Sequence, residues 1–290
     1  MSEVVSGAGA SALRGGLPGM AAMGVQVVSL MWLRTTVNYQ YRYGTSTGVA
    51  LRTLYADGGV RRFYRGLVPA LLQGPLARFG DTAANSGMLA LLEGHESTAN
   101  IPVGIKTASA SAAAAAFRVA LMPLDAMKTI MQVEGKQGLS LLGAKVAKGG
   151  PTVLFHGALA ASAATFVGHY PWFFTQNFLQ EAVPKPDGFA ARLARNGLIG
   201  FCSSAVSDTC SNSIRVIKTT KQAATSPMTY GQAFRCVVEK DGYAGLFGRG
   251  LGTKLISNGL QGMMFTVLWK MGEDYLTELE RAENNKGAKT

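Results

Sequence analysis

The stretch DGGVRRFYRG (57–66) returns without a gap as KGGPTVLFHG (148–157) and again as DGYAGLFGRG (241–250). All three share glycine at the second and last places and phenylalanine at the seventh. Their closing glycines, Gly66, Gly157 and Gly250, are 91 and 93 residues apart. A second set lies upstream: Arg34-Thr-Thr-Val-Asn38, Lys128-Thr-Ile-Met-Gln132 and Lys218-Thr-Thr-Lys-Gln222, with cations 94 and 90 residues apart. Here a cation is followed by threonine and, four places on, by a side-chain amide. Two independent motif sets with one period, about a third of the chain, describe three homologous units. The boundaries expected from them are 17–98, 99–186 and 187–278, with tails at 1–16 and 279–290.

Working outward, each unit reads as an apolar segment ending at the cation, an amphipathic stretch, the glycine-bounded turn, and a second apolar segment. The 290 residues are 48% hydrophobic and only 16% charged, with mean hydropathy +0.15, too apolar for a disordered chain or an ordinary soluble surface. A membrane-spanning helix needs about 20 mostly apolar residues. Windows 15–33 and 158–180 meet that length without charge, whereas 82–92, 107–117, 196–207 and 255–269 are shorter. The short ones serve as spans only if their neighbouring charges face a water-filled space instead of lipid. Stretches 34–66, 128–157 and 218–250 hold fifteen Lys and Arg against four acids, a net +11 equal to that of the whole chain. One-sided positive charge in all three units places these stretches on the non-translocated face. The expectation is an all-α membrane protein of six transmembrane helices in pseudo-threefold order, with short amphipathic helices such as 45–57 and 229–241 at the interface.

Several classes drop out. Cys202, Cys210 and Cys236 have neither disulfide-framework nor zinc-site spacing. Neither GxxxxGK[ST] nor GxGxxG occurs, so no nucleotide-phosphate loop is read. No cleavable export segment is read in the first 17 residues. No enzyme, cofactor or metal site is expected, and the long apolar windows argue against a soluble nucleic-acid binder.

These residues resemble the mitochondrial carrier family, whose signature is Pro-x-Asp/Glu-x-x-Lys/Arg at the end of each odd helix and an acidic-Gly segment ending aromatic-Lys/Arg-Gly. Unit two carries Pro123, Asp125 and Lys128, with Gln132 at the family's glutamine-brace position; unit one carries Tyr64-Arg65-Gly66. The resemblance covers roughly residues 17–277. It implies three repeats, six transmembrane helices, and residence in the mitochondrial inner membrane, although plastid and peroxisomal members share the pattern. It also implies a matrix gate at Arg34, Asp125, Lys128, Arg215 and Lys218, and braces at Asn38, Gln132 and Gln222. Membrane-lipid contacts of the cardiolipin type are implied at Arg65, Gly66, Gly157 and Gly250.

Departures from the signature carry as much information. Family carriers close the matrix side with three salt bridges, each acid pairing with the next unit's cation. Here the proline and acidic places are Ser29 and Met31 in unit one, and Ser213 and Arg215 in unit three. Only Asp125 to Lys218 is a standard pair; Met31 offers Lys128 no charge, and Arg215 is expected to face Arg34 as a like charge. The outer positions are Ser86 and Leu89, Asn177 and Gln180, Lys270 and Glu273. Two of these pairs are uncharged and the third is reversed.

The resemblance also places substrate contacts at Gln73, at Ala164 with Thr165, and at Ser257, none of them charged. The corresponding odd-helix positions are Gly24, Arg118 and Asp208. Arg118 and Asp208 interrupt apolar spans, so they are expected to face the interior, either as a solute clamp or paired with each other. Arg78 and Asp81 are expected to pair within their helix. His169 reads as a hydrogen-bonded helix residue rather than a proton-coupling site. The leading expectation is a carrier of a small solute, an anionic carboxylate or an amino acid, by alternating access. The other reading is a carrier-derived membrane scaffold or assembly subunit that no longer transports, since only one of three standard bridges remains.

Overall fold

The computed structural model describes residues 2–93, 101, 109, 112, 113 and 116–264, with side chains described from Met23 onward apart from scattered positions in the even helices. The described residues are helical and contain no strand. Unit one comprises α1 (Ser2–Tyr43), α2 (Thr47–Phe63) and α3 (Leu67–Glu93). Unit two has a helical stretch over 116–120 leading into α4 (Met122–Glu134), then α5 (Gly138–Gly149) and α6 (Ala158–Ala182). Unit three has α7 (Phe189–Ala223), α8 (Tyr230–Gly248) and α9 (251–264).

Proline accounts for a difference among the odd helices. Pro123 lacks the N–H that would continue a helical ladder and sits in the first turn of α4, after a turn at Leu121. Ser29 and Ser213 impose no such break, and α1 and α7 run through the equivalent turn. The interfacial helices begin with ordinary caps. Ser46 Oγ accepts from Val49 N, and Thr229 forms a capping box with Gln232. Glycine bends both near their ends, at Gly58–Gly59 and at Gly242. The helical segments before these bends end at Asp57 and Asp241, the limits expected for 45–57 and 229–241.

The units close into a ring. α1, α4 and α7 touch in all three pairings, and α1 packs along α3 as α6 packs along α7. The repeat glycines make the cyclic order explicit. A Cβ on Gly66 would lie 3.1 Å from the Lys128 carbonyl, on Gly157 2.7 Å from Gln222 Nε2, and on Gly250 3.0 Å from the Tyr41 ring. Thus each even helix starts against the end of the next unit's odd helix. Gly250 combines this contact with φ +68°, a conformation that other residues adopt only with strain. Gly250→Ala is expected to cost about 1–3 kcal/mol, as overpacking does. Gly157→Ala, at φ +125° with its Cβ 2.7 Å from Gln222 Nε2, should cost as much or more; thermal unfolding of the two purified variants checks the order.

Burial is inverted relative to a soluble bundle. Gln26, Thr35, Thr36, Asp125, Gln132, Asp208, Ser211, Asn212 and Ser257 are buried, whereas Leu159, Phe166, Phe174 and Phe178 of α6 are 59–72% exposed. Leu198 and Phe201 of α7 and Ile256 and Met263 of α9 are exposed as well. Among the described residues one window, Pro151–Gly168, is long and apolar enough to cross a membrane by composition, and Leu67–Ala77 is a shorter apolar helix. This is fewer than the two windows read from the sequence. Residues 15–33 lie in α1, where side chains are described only from Met23. In α7 the buried charges Arg195 and Asp208 lower the mean hydropathy.

Candidate functional site: a cationic ring where three units meet

Asp125, in the first turn of α4, stands at the centre of the site. Lys128 Nζ donates to its Oδ1 at 2.7 Å and Lys218 Nζ to its Oδ2 at 2.6 Å. One carboxylate therefore holds a cation from its own unit and one from the next. Its side chain is 9% exposed, and both lysines are 18% exposed, so the group faces an opening instead of being sealed. Lys128 continues to Gln73 Oε1 of α3 at 3.0 Å. Arg34 of α1 stands one turn before Asn38, whose amide meets Gln132, itself one turn after Lys128. The three repeat cations thus lie at one level.

Amides reinforce the same level. Asn38 donates to Gln132 Oε1, and Gln132 Nε2 reaches Met31 Sδ at 3.5 Å. Gln222 Nε2 lies 3.4 Å from Asp125 Oδ2. Met31 is fully buried and supplies only its soft thioether, so Lys128 takes Asp125 and Gln73 instead.

Arg215 corrects an expectation. Expected to face Arg34 as a like charge, it lies along its own helix, with Nη2 3.7 Å from Asp208 Oδ1 and Nε 3.1 Å from Ser211 Oγ. Asp208, two helical turns earlier on α7, gives it a charge partner of its own. Asn258 Nδ2 donates to the other oxygen of Asp208. Arg118 Nη1 donates to Thr165 Oγ1 at 2.9 Å, and Thr165 returns its own proton to the Ala161 carbonyl. Arg118 and Asp208 therefore form no ion pair with each other among the described residues. Ala164 and Ser257 are buried on α6 and α9. The side chains of Arg78, Asp81, Ser86, Leu89, His169 and Asn177 lie outside those described, as do Lys270 and Glu273. Gln180 accepts from Arg195, which also binds the last carbonyls of α6.

A further set of cations was not legible from the repeats. Arg62 Nη1 and Nη2 donate to the Gln132 and Val133 carbonyls at 2.9 and 2.7 Å, closing the C-terminus of α4. Lys145 Nζ does the same for α7 through Gln222 O at 2.9 Å, and Arg249 Nη1 for α1 through Tyr41 O and Arg42 O. Each unit caps the odd helix of the next with a cation, satisfying end carbonyls and complementing the helix dipole. Asp57 and Asp241 hold the two arginines at 2.5 and 2.7 Å. Lys145 has no such acid, and burial followed by the nearby Arg42 charge holds its pKa below the ordinary lysine value. Lys254, half-buried on α9, is the other cation missed; Ala70 and Ala161 occupy the equivalent places.

At the seam of units three and one a cavity of about 410 Å³ is lined by Ser46, Thr47, Arg249, Gly250 and Thr253, among others. The N-termini of α2 and α9 both open onto it.

A family model described as mitochondrial carrier protein matches residues 100–187 and 190–279, more than half of the chain. The chain belongs to the mitochondrial carrier family. No curated protein matches it. Units two and three lie within the matched residues, and unit one takes its place among them through the repeat motifs and the cyclic glycine contacts. Mitochondrial carriers are multi-pass transporters of the mitochondrial inner membrane rather than enzymes, and they move small-molecule solutes.

Proposed function

We propose that this carrier moves a small organic anion across the mitochondrial inner membrane by alternating access, with six helices spanning the bilayer around the ring. The observation that carries the reading is the meeting of Lys128 and Lys218 on one carboxylate, Asp125, with Arg34 at the same level of α1, so that cations outnumber acids among the described residues of the ring. A surplus of partly accessible positive charge suits an anion and repels a cation. Outward-facing phenylalanine and leucine side chains on α6 and α7 support lipid contact. Gln73, Arg118, Ala164, Thr165, Asp208 and Ser257 then line the solute path. Arg118 is the cation for a carboxylate, and Asp208 positions Arg215. An amino acid is less suited, because both Asp208 oxygens already have partners.

In this reading Arg34, Asp125, Lys128, Arg215 and Lys218 form the matrix gate, braced by Asn38, Gln132 and Gln222. The cavity at the Gly250 seam suits the phosphates of a cardiolipin-type lipid, since two helix N-termini meet there. Gly66 with Arg65, and Gly157, would hold the same lipid at the other seams.

Reconstitution into liposomes with labelled carboxylates, amino acids and nucleotides tests the reading. Uptake of a carboxylate that falls at least tenfold in Arg118→Ala is the expected result. Absence of uptake for the whole panel by folded protein would favour the non-transporting scaffold.

A further inference from the structure

Arg34 and Lys254 have no hydrogen-bond or ion-pair partner among the described residues, and Arg34 Nε is buried as well as unpartnered. Both are interior groups on neighbouring units, α1 of unit one and α9 of unit three. Lys254 lies one turn before Asn258, whose amide meets Asp208 beside Arg215, and Arg34 lies one turn before Val37, which shares a buried cluster with Val216, so these side chains meet at one seam. Asp208 does not satisfy Lys254 directly, because Asn258 occupies one of its oxygens and Arg215 stands near the other. Arg215 keeps Nη1 unused and is 36% exposed. Arg34, Lys128, Arg215, Lys218 and Lys254 are thus opposed by Asp125 and Asp208, among the described residues. Uncompensated charge at such a level is unfavourable unless a counter-charge enters with it.

The place where that counter-charge is missing is specific. The pair absent from the ring at the seam of units three and one is the one in which Arg215 stands where an acid would meet Arg34. Lys254 adds a cation at this corner only. We infer that Arg34, Arg215 and Lys254 form a seat for a small multiply charged anion, which supplies the negative charge the protein lacks there and completes closure of the matrix side. The inference rests on the carrier reading only for the place of the seat on the solute path. An anion with two charged groups bridges α1 to α7 and α9, whereas a monocarboxylate neutralises one cation and bridges less. Closure at this seam is therefore coupled to occupancy: the anion stabilises the conformation in which the three cations are drawn together.

The test is thermal unfolding of the purified full chain in detergent with succinate, inorganic phosphate or acetate, each compared with chloride at matched ionic strength. Succinate or phosphate should raise Tm by roughly 5 °C or more at concentrations ~100-fold above Kd, and acetate by much less. The stronger of the two identifies a dicarboxylate or a phosphate-type occupant. Lys254→Met should abolish the difference between dianion and acetate. If Lys254→Met does not fold, Lys254→Gln is read in the same way. Arg215→Asp, which builds the missing acid into the chain, should raise Tm without anion and blunt the anion response. Equal shifts for dianions and acetate, or a dianion shift retained in both Lys254 variants, would overturn the seat. Liposome uptake reports separately: uptake without a dianion shift removes the seat but leaves the carrier, and a Lys254-dependent shift without uptake leaves the seat but removes transport.

Discussion

Asp125→Asn is expected to lower stability by about 3–5 kcal/mol, read as a fall in Tm of the order of 10 °C, and to abolish uptake. The size follows from what the carboxylate holds. Lys128 and Lys218 both donate to it, at 2.7 and 2.6 Å, and its own side chain is only 9% exposed. The asparagine retains the shape and loses the charge, leaving two ammonium groups facing each other. Removing one partner of a buried ion pair costs more than the pair contributes, because the remaining charge is stranded. Hence Asp125→Asn combined with Lys218→Met should be more stable than Asp125→Asn alone, a non-additivity that a double-mutant cycle measures directly. If the single asparagine variant unfolds at the wild-type temperature, the ring does not hold the three units together.

The ring was visible in the sequence because its members keep a fixed place relative to the repeat. Arg34, Lys128 and Lys218 precede an amide by four residues in every unit, and a threefold motif in a threefold fold brings equivalent residues together. Side-chain direction was less visible. Arg215 was expected to oppose Arg34 because the repeat register places it there, but an arginine spans more than one helical turn, and Asp208 lies seven residues before it on the same helix. The capping cations were hidden for a different reason. Arg62, Lys145 and Arg249 stand four, twelve and one residues before their repeat glycines, so no common register reveals a task that all three perform. Lys254 was missed because its counterparts are Ala70 and Ala161, leaving no pattern to notice.

The capping cations yield the other large expected effect, and their geometry ranks it. Arg62→Met should cost about 3 kcal/mol or more, since hydrogen bonds to a charged group contribute roughly 1.5–3 kcal/mol each and two carbonyls lose theirs. Those bonds are short, 2.9 and 2.7 Å, and Arg62 is 2% exposed, so water does not readily replace it. Asp57 is more exposed and stays solvated when its partner is lost. Arg249→Met should cost less, because its bonds to Tyr41 O and Arg42 O are 3.3 and 3.4 Å, although Asp241 is then left half-enclosed without its cation. Lys145→Met should cost least. It loses one bond, to Gln222 O, and removes an ammonium whose burial is already unfavourable, while the methionine retains the packing of the stem. Thermal unfolding of the three single variants gives the order, and a loss in Lys145→Met as large as that in Arg62→Met would show that the charge itself, not the number and length of its carbonyl bonds, sets the contribution of each cap.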